Sequence, residues 1–518
     1  MTQGNTEPAN AASDVERWVL LTTVMASSMA FIDSSALNVA LPAVQADLQA
    51  TGAQLLWIVN SYLLMLAAFI LVGGSLGDRI GRKRVFSVGI GVFMLASLAC
   101  GLAPNPTWLI GARLIQGIGG ALMIPGSLAI ITATFGPDRR GQAIGTWAAA
   151  TTLVTIAGPI LGGVLADAGL WRAVFLINLP LGLIALYLLA TRVPESRDQL
   201  TSSEIDYAGA VLAVLGLGGL TYGFISAPRL GFGDPRIYGA LIGGTAALVA
   251  FVLVEARSTH PMVPLHVFRS HTFSGANLLT LFLYGALSVG TFFLALNLVQ
   301  IQGYSQTLAG FAFIPFPIFL ALLSRWAGGL VDRYGPRLPL IVGPAGAGLG
   351  FLLLGLVGLT GGPADYWKSF FPGVVFLGLG MGVTVAPLTT AVMGSLATHY
   401  AGTASGINNA VARTAGVLAI AIIGAVALFT FAGGLVARTT QLDLPIEARA
   451  ALQAEADKLG EAAVPPEVAA GSKRAVTAAI QNAFVDAFRW VMFLCVGLAW
   501  LSAAMSALLI EPQLLPAD

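Results

Sequence analysis

Charge is scarce in this chain. Asp, Glu, Lys and Arg together make up 10% of its 518 residues, and the formal net charge is +1. Soluble domains carry roughly 25% charged residues, so an ordinary soluble protein is excluded. A net charge this close to zero gives no footing for a nucleic-acid partner. Cysteine is almost missing: Cys100 and Cys495 alone offer neither a disulfide framework nor metal-ligand spacing. There is no His/Cys cluster, no glycine loop followed by lysine that would cradle a phosphate, and no Gly-x-Ser-x-Gly elbow. An enzyme, a metal site and an organic cofactor are therefore not expected. Residues 1–17 lack a basic stretch ahead of a short apolar core, so they are not expected to act as a cleavable signal.

What fills the chain instead is apolar. Residues of the AVILMFWYC set account for 56%, and glycine for 62 of 518, about 12% against a usual ~7%. Excess glycine suits helices that approach closely in lipid. Fourteen apolar segments are long enough to span a bilayer, from 18–40 at one end to 487–510 at the other. The expected fold class is an all-α membrane protein of 14 transmembrane helices. Arg79, Arg82, Lys83, Arg84, Arg139, Arg140, Arg192, Arg197, Arg257, Arg269, Arg333 and Arg337 all fall in loops on one side. The short loops opposite hold only Arg172, Arg229, Arg236 and Lys368. Positive charge stays inside, which places both termini in the cytoplasm of a cell that keeps this chain in its inner or plasma membrane.

The chain repeats itself. Gly74-Ser-Leu-Gly-Asp78-Arg79-Ile-Gly81-Arg82-Lys83 follows helix 2, and Gly328-Gly-Leu-Val-Asp332-Arg333-Tyr-Gly335-Pro-Arg337 follows helix 10. Two such loops in equivalent places predict two homologous six-helix halves. The expected organisation is a cytoplasmic tail (1–17), an N-terminal half with helices 1–6 (18–191), a linker with inserted helices 7–8 (192–257), a C-terminal half with helices 9–14 (258–511) and a second tail (512–518). A long outward-facing loop is expected at 432–486, with amphipathic helices marked by Ala448, Leu452, Ala456 and Leu459 and by Val476, Ile480, Phe484 and Phe488.

Two charges stand out within spans. Asp33 lies about eight residues before the outer end of helix 1, and Arg113 about six residues after the start of helix 4; at ~1.5 Å per residue their depths match. A carboxylate and an arginine at one depth can pair, directly or through water, and intramembrane charge is functional by default. Gln116, Gly120 and Met123 share the Arg113 side of helix 4, and Ala26 and Met29 share the Asp33 side of helix 1. A cavity walled by Met29, Gln116 and Met123 is expected, with Tyr62 on helix 2 and Phe316 among the phenylalanines around Pro315 and Pro317 on helix 10 adding aromatic surface. Such a wall suits a bulky, mostly apolar ligand, with or without a positive charge. Two further charges, Arg325 and Arg413, lie within spans; Arg325 is expected to snorkel.

Several stretches fall in an order that resembles the major facilitator superfamily, and the fourteen helices make the chain similar to the drug:proton antiporters of the EmrB/QacA type. The stretches are Asp33-Ser-Ser-Ala-Leu-Asn-Val-Ala-Leu-Pro42, the Gly74–Lys83 loop, Leu109–Pro125 on helix 4, and Gly158-Pro159-Ile-Leu-Gly162-Gly163 on helix 5. The resemblance implies proton coupling at Asp33 and Arg113, driven by the proton motive force without a cofactor. It implies a cytoplasmic gate formed by Gly74, Asp78, Arg79, Gly81, Arg82, Asp332, Arg333 and Arg337, which latches the halves when the cavity opens outward. It makes Gly158, Pro159, Gly162 and Gly163 an antiporter motif that seals a bent, closely packed helix. Some relatives carry further acids on helices 2, 10 and 13; here Asp33 is the single acid placed deep in a span, which favours about one proton per cycle.

The expected activity is proton-coupled efflux of hydrophobic small molecules or drugs by alternating access. Export of a dedicated metabolite, lipid or self-made antibiotic stays open, as does a non-transporting sensor or structural subunit. The expected partners are membrane lipids, protons and the small-molecule substrate, with a monomer as the working unit.

Overall fold

The structure is a computed structural model that describes residues 7–196, 206–259, 261–396, 400–442 and 444–513. Among these residues there are fourteen helices long and apolar enough to cross a membrane. In chain order they are α1 (Asp14–Leu48), α2 (Gly52–Ile80), α3 (Arg82–Gly101), α4 (Pro106–Thr134), α5 (Arg139–Asp167), α6 (Ala173–Arg192), α7 (Tyr207–Leu230), α8 (Pro235–Arg257), α9 (His271–Ile301), α10 (Gln306–Ser324), α11 (Arg337–Gly355), α12 (Phe370–Gly394), α13 (Gly402–Thr440) and α14 (Lys473–Leu509). The face where α1 begins and α14 ends is called proximal below, and the other distal.

Local chemistry starts and stops these helices. Thr51 and Gln54 form a reciprocal capping box at the head of α2. Asn105 accepts the Trp108 N–H at 2.9 Å ahead of Pro106, opening α4. Ser270 and Ser305 cap α9 and α10 in the same way. Gly81 ends α2 at φ 118, a backbone geometry that strongly favours glycine.

In the N-terminal bundle α4 packs between α2 and α3, α1 lies against α5, and α6 covers α1 and α3. In the C-terminal bundle α11 packs on α12 and α14, and α9 on α13 and α14. Helices α7 and α8 form a pair beside these bundles, with α7 touching both α2 and α13. The bundles meet along α2 and α13, where Gly424, Gly416 and Gly406 face Leu56, Leu63 and Leu71 in turn. Asn60 of α2 adds a cross-bundle hydrogen bond to the Val417 carbonyl at 3.3 Å.

Helix α10 is broken. Its distal piece is Gln306–Ala312, and the proximal piece begins at Pro315 and continues as helix past the apolar span to Tyr334. Pro315 has no N–H to continue the ladder, and the Phe316 N–H turns to Phe313 O. The Ala312 carbonyl released by this break accepts the Tyr366 hydroxyl at 2.8 Å. The two pieces go to different partners: the distal one packs on α5, the proximal one on α12.

The distal loop is shorter than 432–486. Helix α13 continues to Thr440 and α14 begins at Lys473, because Val476, Ile480, Phe484 and Phe488 extend the buried stripe of α14 itself. Between them, the helix Ile446–Glu455 buries Ala448 and Leu452 as expected. The turn after it presses Leu459, 0% exposed and at φ 57, onto Gly52 at the head of α2.

Candidate functional site

Asp33 and Arg113 meet. Both are buried, at 0% and 1% exposure, and Arg113 Nη1 donates directly to Asp33 Oδ2. Gln116, one turn further along α4, completes a ring. Its Oε1 accepts from Arg113 Nη1 at 2.7 Å, and its Nε2 donates to Asp33 Oδ1 at 2.8 Å. The remaining polar groups are fed from behind. Gln116 Nε2 reaches Ser97 Oγ of α3 at 2.8 Å, Asn178 of α6 donates to the same oxygen at 3.1 Å, and Arg113 Nε donates to Ile58 O at 3.2 Å. The Tyr62 ring lies under the guanidinium, 4.3 Å from its central carbon. A buried ion pair is sustained by hydrogen bonds to its spare donors and acceptors, and this network supplies them to both Asp33 oxygens and to Nε and Nη1 of Arg113. Ser97 and Asn178 carry no signal in the sequence, since isolated small polar residues in spans are common.

A cavity of ≈ 360 Å³ lies between the bundles beside this network. Tyr62, Arg113 and Phe316 line it, with Asn38, Thr155 and Pro159 on one side and Tyr284, Ser288, Phe313 and Arg413 on the other. Gln116, Met29 and Met123 are not in its wall. All three are 0% exposed. Gln116 belongs to the ion-pair ring, and Met29 lies over Gly182 of α6 beside Met94 of α3. Met123 packs in the apolar core of the N-terminal bundle with Phe86 and Phe93. The stripe shared by these residues faces α3 and α6, away from the cavity; only the long Arg113 side chain spans from one to the other.

The Gly158–Gly163 stretch is a two-sided contact. Gly158 and Gly162 lie against Ser35 and the Ala36 backbone of α1, while Gly163 lies against the Gln306 carbonyl at the head of α10, and Gly310 returns the contact to the Pro159 carbonyl. One turn beyond, Asp167 accepts the Gln306 and Thr307 N–H groups at 2.9 and 2.8 Å. Gln45 adds a third tie: it donates to the Lys458 carbonyl and accepts from Gln300, both at 2.8 Å. The distal side of the cavity is therefore closed by contacts between the bundles. Asp167 and Gln45 give no signal in the sequence; each sits at a helix end, where a polar residue ordinarily needs no explanation.

The two repeated loops lie at the proximal face. Asp78 pairs with Arg82 at 2.8 Å within its own turn, and Lys83 donates to the Val193 carbonyl at 2.7 Å. Gly81 has the Glu195 carboxylate beneath it, and Gly74 approaches Pro125 of α4. Arg79 is exposed. In the second loop Arg333 lies over the Tyr334 ring, Arg337 donates to the Ala507 carbonyl, and Gly335 meets Pro512. The side chains of Asp332 and Arg325 lie outside the described residues. Each loop thus braces its own bundle here, and the hydrogen bonds and ion pairs of the Gly74–Lys83 turn stay within the N-terminal bundle.

Residues 23–421 match the Major Facilitator Superfamily. The chain belongs to this superfamily. This superfamily member is 34% identical over 412 residues to the multidrug resistance protein Stp of Mycobacterium tuberculosis, covering 79% of this chain and 75% of that protein. It is 33% identical to the tetracenomycin C resistance and export protein of Streptomyces glaucescens, covering 78% and 74%. It is 36% identical to the cephamycin export protein CmcT of Amycolatopsis lactamdurans, covering 78% and 83%. Among solved structures, an inward-facing bacterial homologue of the human lysosomal transporter Spinster superposes with a TM-score of 0.67 at 19% identity, covering 97% of this chain and 99% of that one; this likeness concerns the fold alone. The chain is a transporter of the efflux type, not an enzyme.

Proposed function

We propose that this transporter exports hydrophobic small molecules in exchange for protons, with Asp33 as the proton-carrying group. It acts as a monomer in the inner or plasma membrane with both termini in the cytoplasm, so that the proximal face is cytoplasmic. The observation that carries the reading is the continuous path from a buried carboxylate, through Arg113, to the wall of a cavity between two bundles. A proton arriving at Asp33 removes the charge that holds Arg113, and the guanidinium is then free to change partners. Exchange requires that the protonated empty carrier and the deprotonated loaded carrier cross between states, while the other forms do not.

Alternating access has hinges on which to run. The break at Pro315 lets the two pieces of α10 move separately beside the cavity. The distal contacts would part while the two proximal loops close into the latch that resemblance to the family implies.

The test is Asp33→Asn in proteoliposomes with an imposed pH gradient. Proton-driven dye efflux is expected to vanish while the protein stays inserted; undiminished efflux overturns the proposal. A narrower reading, export of one dedicated antibiotic, is supported by relatives whose names specify a single compound. A resistance profile across unrelated drugs separates the two.

A further inference from the structure

The charge of the cavity wall points to a class of substrate. Among its described lining residues two carry a formal charge, and both are arginines: Arg113 and Arg413. Asp33, behind the wall, neutralises Arg113. Arg413 has no such partner among the described residues. It sits within the α13 span, eleven residues after Gly402, about 17 Å along the helix. It is partly buried and makes no hydrogen bond or ion pair with a described residue. Among the described residues no carboxylate lines the cavity. Around Arg413 the wall offers Tyr62, Tyr284 and Ser288, then the aromatic and apolar surface of Phe313 and Phe316.

An uncompensated cation at membrane depth is costly, and the cost falls when a ligand brings the missing anion. A site with one sign of charge and low-dielectric walls concentrates ligands of the opposite sign and repels those of its own. We infer that Arg413 selects substrates bearing an acidic group, a carboxylate or an ionised phenol, on an aromatic or polycyclic body, and that lipophilic cations are disfavoured. The sequence left the charge of the ligand open, and Arg413 gives it a sign. The guanidinium supplies the fork of donors that such oxygens accept, and the phenylalanines cover the body.

The inference deepens the proposed export function and rests on that cavity being its substrate site. It also changes the energetics of exchange. One proton inward and one anion outward both carry positive charge inward, so membrane potential would add to the pH gradient. A proton on Asp33 and an anion on Arg413 attract one another, so their mutual exclusion must arise from conformation and not from charge.

The test uses two dyes that share a xanthene body: fluorescein, an anion, and a rhodamine methyl ester, a cation. Binding to the purified full-length protein is followed by fluorescence polarisation. The wild type is expected to prefer fluorescein by about tenfold, the effect of one charge-assisted contact. Arg413→Gln should erase that preference by weakening fluorescein alone, and Arg413→Lys, which keeps the charge, should retain most of it. Equal or tighter binding of the rhodamine by the wild type, binding of neither dye, or an equal loss of both in Arg413→Gln overturns the inference. If Arg413→Gln does not fold, Arg413→Lys decides: a fluorescein preference that survives there and fades as ionic strength rises supports the inference, and its loss overturns it. A preference in binding without flux under a pH gradient counts against proton-coupled export alone.

Discussion

Asp167, at the last turn of α5, accepts the first two backbone N–H groups of α10, those of Gln306 and Thr307. A carboxylate of the N-terminal bundle thereby caps a helix of the C-terminal bundle, and it does so beside the glycine contact at Gly163. The cap exists only while the distal face is closed. Replacing Asp167 by alanine removes about 1 kcal/mol of capping, which shifts the balance between closed and open distal faces roughly fivefold. The check is a cysteine at Thr291, in the cavity wall, labelled by an impermeant maleimide from the distal side. Labelling should quicken in the Asp167→Ala background.

Gly163→Ala should act in the same direction and more strongly. A Cβ there would lie 2.8 Å from Thr307 Cα and nearer still to the Gln306 carbonyl. Those neighbours are backbone and do not yield as a flexible side chain would. The bundles must separate at this point, so the same labelling assay should report faster distal access and efflux should fall.

Removing one partner of the buried ion pair should destabilise more than removing both. Asp33→Leu leaves the Arg113 charge buried without its carboxylate, at about 3–5 kcal/mol. The double change Asp33→Leu with Arg113→Leu removes that charge as well. Thermal unfolding in detergent is expected to show a large drop in Tm for the single variant and substantial recovery for the double, with proton-driven efflux lost in both. A single variant as stable as the wild type would mean that Arg113 finds another acceptor.

The distal segment is expected to lift during transport. Gln45 and Lys458 are joined across the closed face, and replacing Cys100 and Cys495 by serine leaves introduced thiols as the sole sites of reaction. A short bismaleimide linking Gln45→Cys to Lys458→Cys should therefore stop efflux. A reducible linker of the same length should restore efflux on reduction. Transport that continues through the cross-link would assign the segment a passive covering role.

The sequence carried the ion pair but not the direction it faces. Asp33 and Arg113 were legible because depth follows from counting residues along a helix. Spacing also puts Gln116 and Met123 on one stripe of α4, and Met29 on the stripe of Asp33. It fixes which residues share a stripe and leaves the azimuth of that stripe open. The stripe turns toward Ser97 and Asn178 of neighbouring helices, so the methionines became core and Arg113 alone reached the cavity. The aromatic residues divided for a similar reason: Phe313 and Phe316 line the cavity at the break in α10, whereas Phe311 is 48% exposed.

The chain by itself determined its fourteen spans, the repeat of the Asp78 and Asp332 loops and the depth of its single deep acid. These depend on local hydropathy and on one-dimensional distance, which a sequence records. Tertiary structure alone decided that Asp167 and Gln45 tie the distal faces together and that Gly163 meets the Gln306 backbone. It also decided that Arg413 stands in the cavity wall without a carboxylate among the described lining residues. Those relationships join residues far apart in the chain, and they depend on how each helix rotates against its neighbours. Close packing of whole bundles sets that rotation.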